Sequence, residues 1–217
     1  MILSEAMQNY LKAIYEILER QDKATTSAIA RRMGIAAPSV TAMVKKLARL
    51  KLVTHAPYQG VRLTTVGEKT ALEVVRHHRL VELYLSEALG VPWDRVHAEA
   101  EKLEHVLSEE LEERISEALG HPAFDPHGAP IPARDGSLSR VEARSLAEVP
   151  AGDRVRVVEV DDRDPELLRY LGDLALYPGK ELEVLRVEPY NGPFVVRVDG
   201  RERIVGRAAA QEILVTA

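Results

Sequence analysis

The hydrophobic period of this chain changes once along its length, and that change divides it. From about Ser4 to Gly120, apolar residues recur at three- and four-residue spacing, as helices packed on one face require. A stretch from about His121 to Pro150 is rich in Pro, Gly, Ala and Ser. Beyond it come short β-prone runs, VRVVEV, ELEVLRVE, PFVVRVDG and RIVGRA, separated by turn residues and carrying a helix-like insert, PELLRYLGDLAL. This predicts a mainly α chain ending in a small β-barrel. With 217 residues and 46% apolar content, two or three small cores are within reach.

The first 65 residues are more specific. Ser4 can cap a helix with Tyr10, Leu11, Ile14, Ile17 and Leu18 on one side, ending near Arg20. Thr26 or Ser27 caps a short helix, SAIARRM, that Gly34 closes as a left-handed C-cap. A third helix, PSVTAMVKKLARLKL, starts at Pro38, which suits a first turn, and turns Val40, Val44 and Leu47 inward. Two β-rich runs then flank the turn-prone Tyr58-Gln59-Gly60, so a hairpin follows. Helix, turn, helix and hairpin make a winged helix-turn-helix, whose second helix enters the DNA major groove. Pro38 and Ala42 offer apolar surface to thymine methyls; Ser27, Ser39, Thr41, Lys45, Lys46 and Arg49 complete the candidate DNA-contact set.

Charge supports that assignment. Met1 to Thr65 holds ten Lys and Arg against four Asp and Glu, or +6, and the remainder 19 against 30, or −11, which together give the net −5. A basic module suits a polyanion, and an acidic remainder suits cation capture.

Candidate cation ligands fall in that remainder. A long helix, GEKTALEVVRHHRLVELYLSEALG, carries His78 and Glu82 one turn apart, while His77 points about 100° away as a surface or interface residue. Gly90-Val91-Pro92 breaks it, and Asp94 can cap the next helix. There His97, Glu101, Glu104 and His105 follow one another at offsets that put all four on one stripe if the helix runs through them. Two such helices facing each other enclose a divalent cation. The chain has no cysteine, so any ligation is by imidazole and oxygen. Ser108 caps a further helix, EELEERISEALG. Helices with this much apolar surface on a small module favour pairing with a second copy.

The stretches NYLKAIYEIL, APSVTAMVKKLARLKLV, RHHRLVE, RVHAEAEKLEHVLSEELEERI and PHGAPIP, in this order and followed by a small β domain, resemble the diphtheria toxin repressor and manganese transport regulator family across essentially the whole chain. The resemblance implies residues 1–65 as a winged helix-turn-helix DNA-binding domain, 66–140 as a helical metal-binding and dimerisation domain, 141–150 as a linker and 151–217 as a Src-homology-3-like barrel. It also implies one metal site at His78, Glu82 and His97 and another at Asn9, Glu101, Glu104 and His105. A further ligand from the barrel is expected at Asp164 or Glu166. Glu101 stands where iron-responsive members have cysteine and manganese-responsive members have glutamate, which points to Mn²⁺ or Fe²⁺.

The expected function is a metal-dependent transcriptional regulator, by resemblance a repressor of metal-uptake genes, whose homodimer binds palindromic operator DNA when loaded. Two alternatives are a hydrolase with an imidazole and carboxylate metal site, and a winged-helix regulator indifferent to metal. No H-E-x-x-H motif, nucleophile elbow or phosphate loop favours an enzyme. No apolar run approaches the roughly 20 residues of a membrane span, and no export signal is evident, so a cytoplasmic protein is expected.

Overall fold

The structure is a computed structural model that describes residues 3–56, 60–139 and 141–217. The chain forms two compact units, Met1–His77 with Pro132–Ser137, and His78–Ile131 with Leu138–Ala217.

In the first unit, helix α1 (Glu5–Arg20) buries Tyr10, Leu11, Ile14 and Ile17. Ser4 holds the N-cap position with extended backbone, but its side chain makes no capping bond. Helix α2 (Thr26–Met33) is capped one residue earlier than expected, by Thr25, whose hydroxyl accepts from the Ala28 N–H at 3.1 Å. Gly34 ends it at φ 65°, a left-handed conformation that glycine adopts without cost. Helix α3 (Ala37–Arg49) carries Pro38 in its first turn and buries Val40, Val44 and Leu47. Strands β1 (Val53–Ala56) and β2 (Gly60–Leu63) pair antiparallel, Val53 opposite Leu63, and form the wing. Tyr58 and Gln59 lie outside the described residues.

Helix α4 (Thr65–Glu87) begins against this module. A Cβ on Gly67 would stand 1.9 Å from the Leu52 carbonyl oxygen, so only glycine permits the approach. His77, read from the sequence as a surface or interface residue, is buried at 8% exposure.

The second unit takes the remainder of α4, then α5 (Val96–Leu103) and α6 (Glu109–Ala118, capped by Ser108). Val81 and Leu85 pack with Val96 and Ala100; Leu80 and Leu83 pack with Ile115 and Ile131. Asp94 does not cap α5; it pairs with Arg169 at 3.1 Å. Helix α5 stops at Leu103, with Glu104 as its C-cap, so the expected stripe through His105 is cut short.

The C-terminal strands are β3 (Arg144–Ser145), β4 (Arg154–Val160), β5 (Glu181–Val187), β6 (Phe194–Val198), β7 (Arg201–Val205) and β8 (Ile213–Thr216), with helices α7 (Pro165–Asp173) and α8 (Arg207–Gln211). They form one antiparallel sheet in the order β3-β8-β4-β5-β6-β7 around Val157, Leu168, Leu171, Val184, Phe194 and Val196. The end strands β3 and β7 do not pair, so the expected barrel is an open sheet. Its β3 edge is only two residues long, and bulges at Val157/Glu159 and Val184/Arg186 add local twist. The expected linker at 141–150 holds β3, a 3₁₀ turn at Leu146–Glu148, and two core side chains, Leu146 and Val149. The segment is an edge strand followed by a tight turn, not a free spacer.

Candidate metal centre and nucleic-acid interface

Four ligand atoms meet in the second unit. Helix α4 supplies His78 and Glu82 one turn apart, α5 supplies His97, and the loop between β4 and α7 supplies Asp162; their ligand atoms lie within 4.8 Å of one another. Glu82 Oε1 is 3.0 Å from His78 Nε2 and 3.1 Å from His97 Nδ1. The two imidazole nitrogens are 3.1 Å apart, and Asp162 Oδ2 is 3.3 Å from His97 Nδ1. Glu82 is fully buried and His78 nearly so.

The outer nitrogens of the two rings are also engaged. His78 Nδ1 meets Glu104 Oε2 in a short contact, and His97 Nε2 faces Glu101 Oε1 at 3.7 Å. A carboxylate behind the ring favours keeping a proton on Nδ1 of His78, so that when the ring loses its second proton the Nε2 lone pair is the one offered to a cation. Glu104 Oε1 is also 3.2 Å from His105 Nε2. The stop of α5 at Leu103 thus turns Glu104 inward, where it links His78 to His105.

Electrostatics fits a cation at this point. Burial opposes charge on His97, yet its hydrogen bonds to Asp162 and Glu82, with their negative charge, raise its pKa to about 10. Burial would likewise raise Glu82, but the charge of His78 and hydrogen bonds from His78 and His97 hold it at about 2. Asp162 is pulled well below the usual carboxylate range by the bond and charge of His97, against the effect of burial. Two imidazole nitrogens and two carboxylates facing one point need positive charge between them; protons supply it in the absence of an ion, and a divalent cation fits the same donor set.

Of the residues expected from the sequence, the structure brings His78, Glu82 and His97 together and sets Glu101, Glu104 and His105 around them. Asn9 is exposed on α1, in the first unit. The carboxylate from the C-terminal region is Asp162, not Asp164 or Glu166. Asp164 Oδ1 is spent as the N-cap of α7, accepting from the N–H groups of Glu166 and Leu167 at 2.9 and 3.3 Å, and Glu166 is exposed in that helix's first turn.

In the first unit, α3 leaves Pro38, Ser39, Ala42, Lys45, Lys46 and Arg49 exposed on the side away from Val40, Val44 and Leu47. Thr41 is half-buried, its hydroxyl donating to the Ala37 carbonyl at 3.1 Å, and Ser27 is exposed on α2.

A winged helix joined in one chain to a buried imidazole and carboxylate cluster defines a metal-responsive DNA-binding regulator. The family model for the N-terminal DNA binding domain of iron dependent repressors matches residues 2–61, that for their metal binding and dimerisation domain residues 64–133, and that for the FeoA domain residues 144–217. The chain belongs to the iron-dependent repressor family, which includes the diphtheria toxin repressor. It is 33% identical over 215 residues to the iron-dependent repressor IdeR of Mycobacterium leprae, covering 93% of this chain and 92% of that protein. It is 29% identical over 193 residues to the diphtheria toxin repressor of Corynebacterium diphtheriae, covering 84% and 85%. A solved manganese-dependent transcriptional repressor in complex with manganese superposes with a TM-score of 0.92 at 40% identity, covering 97% of this chain and 99% of that one. The chain is a metal-dependent transcriptional repressor and not an enzyme, and the hydrolase and metal-independent readings draw no support.

Proposed function

We propose that this chain takes up Mn²⁺ or Fe²⁺ through His78, Glu82, His97 and Asp162 and, as a homodimer, then binds palindromic operator DNA to repress metal-uptake genes in the cytoplasm. The convergence of those four ligand atoms carries the proposal. Imidazole and carboxylate with no thiolate suit both ions, and a similar structure holds manganese. Glu101, Glu104 and His105 form a second candidate ligand set.

A bound cation supplies a positive centre toward which both imidazole lone pairs and both carboxylates turn. His78 and Glu82 fix the second half of α4, His97 fixes α5 to it, and Asp162 draws in the loop ahead of α7. The first half of the same α4 is packed on Leu52 of the winged-helix module through Gly67. Ligation therefore bears on a helix that is continuous with the DNA-binding module, and it shifts the shape equilibrium by as much as the loaded form binds the ion better. Residues 1–65 are assigned to DNA, 66–140 to metal capture and pairing, and 151–217 to the supporting β domain. Leu103, Val106 and Leu111 expose apolar surface on and beside α5 and α6 and are offered as part of the dimer contact. On α3, Lys45, Lys46 and Arg49 are assigned to phosphates and Pro38 and Ala42 to base edges, with half-sites one or more helical turns apart.

The direct test is fluorescence anisotropy with a duplex selected by the Mn²⁺-loaded protein from a random pool. We expect affinity about 100-fold tighter with Mn²⁺ than with chelator, a coupling of roughly 3 kcal/mol. Equal affinity in both would overturn the proposal.

A second expectation concerns pH. His97 must lose a proton to ligate. Its raised pKa stabilises the metal-free protein below the ordinary histidine value, and that contribution is lost as pH rises through about 10. Proton and ion compete, so Mn²⁺ affinity should rise about tenfold per pH unit across the neutral range, with release of about one proton. Calorimetry in buffers of different ionisation enthalpy reads that proton, and His97→Gln should flatten the slope.

A further inference from the structure

Trp93, the chain's one tryptophan, stands in the turn between α4 and α5, yet it packs against the core of the C-terminal sheet. Its indole lies 4.8 Å from the Tyr177 ring, tilted at 53°, and stacks on the His127 ring at 5.8 Å. His127 Nε2 is 2.8 Å from the Trp93 carbonyl oxygen, which can only accept, so that nitrogen carries a proton. On α7 the seat for the indole is made by a missing side chain. A Cβ on Gly172 would stand 3.1 Å from the Tyr177 hydroxyl and 3.5 Å from the indole Nε1. About one turn earlier on the same helix, Arg169 Nη1 reaches Asp94 Oδ2 at 3.1 Å, and the Asp94 side chain is only 13% exposed. Two consecutive residues ahead of α5 therefore grip α7 at two neighbouring points on one side.

Both sides of this contact are tied by short links to ligands of the proposed cation site. His97 follows Trp93 by four residues, and the turn between them is closed by the Arg95 N–H on the Pro92 carbonyl at 2.8 Å. Asp162 precedes α7, between neighbours whose side chains fix its backbone. Asp161 Oδ1 accepts from the Arg163 N–H at 3.1 Å, and Asp164 Oδ1 caps α7 through the N–H groups of Glu166 and Leu167. Asp162 therefore moves with α7, and His97 with Trp93. The coupling matters because Asp162 is poised to withdraw. Its ligand oxygen and that of Glu82 lie within 4.8 Å, so the two carboxylates repel unless a proton or an ion stands between them. Glu82 is fixed on α4 at 0% exposure, whereas Asp162 sits on a loop with 25% of its side chain exposed. A loop carboxylate free to turn to water must be ordered each time an ion binds, and a contact that holds it near the site removes that cost.

We infer that Trp93 is a positioning residue for the proposed cation site: seated at Gly172 and braced by the Asp94–Arg169 pair, it docks α7 so that Asp162 stays within reach of His97 before the ion arrives. The inference rests on Asp162 being a ligand there.

Calorimetric Mn²⁺ titration of the full chain, with Trp93→Ala, Asp162→Asn and the two combined, tests this as a double-mutant cycle. Each single variant should bind about tenfold more weakly than wild type, as loss of a residue that supports a ligand does. The double variant should bind about as weakly as Asp162→Asn alone. Gly172→Leu carries the same test should Trp93→Ala fail to fold: leucine is the better helix former, so α7 persists while the new side chain fills the seat. Its Trp93 emission should move to the red as the indole meets water, and its affinity should fall about tenfold, with no further loss when Asp162→Asn is added. Wild-type affinity in Trp93→Ala or Gly172→Leu, or a loss that multiplies with that of Asp162→Asn, overturns the inference and leaves the cation site standing. Wild-type affinity in Asp162→Asn instead removes Asp162 from the site, and the inference with it.

Discussion

Glu82→Ala is expected to weaken Mn²⁺ binding by on the order of 100-fold or more, and to bring DNA binding down to the level seen in chelator at Mn²⁺ concentrations that saturate the wild type. Loss of an outer-shell partner of a metal ligand already costs about 10- to 100-fold. Glu82 is placed to do more, since one of its oxygens lies 3.0–3.1 Å from both imidazoles and the other faces His127. The companion variant separates ligation from folding. Glu82→Gln keeps a carbonyl oxygen for His78 and His97 and can turn its amide N–H groups toward His127 Nδ1 and Asp125 Oδ2, buried atoms that have no hydrogen-bond partner among the described residues. A satisfied buried group gains about 1–3 kcal/mol, and the lost charge on the His97 side costs a similar amount. Metal-free Glu82→Gln should therefore unfold in urea within about 1 kcal/mol of wild type, while its Mn²⁺ affinity falls with that of Glu82→Ala. Wild-type affinity in both variants, measured by calorimetry, would remove Glu82 from the centre.

What the sequence made legible here follows from how local the causes are. Gly34, Pro38 and Ser108 mark helix boundaries through their own backbone or hydroxyl, and the structure has each at such a boundary. His78, Glu82 and His97 were legible because one-turn spacing and ligand chemistry coincide. The end of α5 was not, since Glu104 has high helix propensity and is held instead by a contact with His78 from another helix. Asp162 was missed in favour of Asp164, although Asp164-Pro165 followed by Glu166 is a helix-start signature that commits Asp164 to capping. Asp125 and His127 sit in a stretch that the sequence marks only as rich in Pro, Gly, Ala and Ser; only the tertiary fold places them beside Glu82. The open sheet was equally out of reach, because alternation predicts strands but not whether the two end strands meet.

Gly128→Ala should destabilise the second unit by about 4 kcal/mol, from roughly 1–3 for backbone strain and a similar amount for overpacking. Gly128 sits at φ 89°, and a Cβ there would stand 1.9 Å from the Val158 carbonyl oxygen and 2.9 Å from the Glu159 Cα. Those atoms are backbone of β4 and cannot rotate away as a side chain would. Val158 lies at the β4 bulge, with β5 and β8 hydrogen-bonded to the strand, and the Val160 N–H donates to the His127 carbonyl at 2.9 Å. The added methyl must therefore push the Asp125–His127 turn off β4, carrying both side chains away from Glu82. Gly152→Ala is the control, because Gly152 has φ 96° with nothing within 4 Å of a Cβ and incurs the backbone strain alone. Urea unfolding of the metal-free proteins should place Gly128→Ala at least about 2 kcal/mol below Gly152→Ala. Equal stability in the two would mean that the turn reaches β4 without needing glycine, and that His127 is held by its bond to Trp93 and not by this contact.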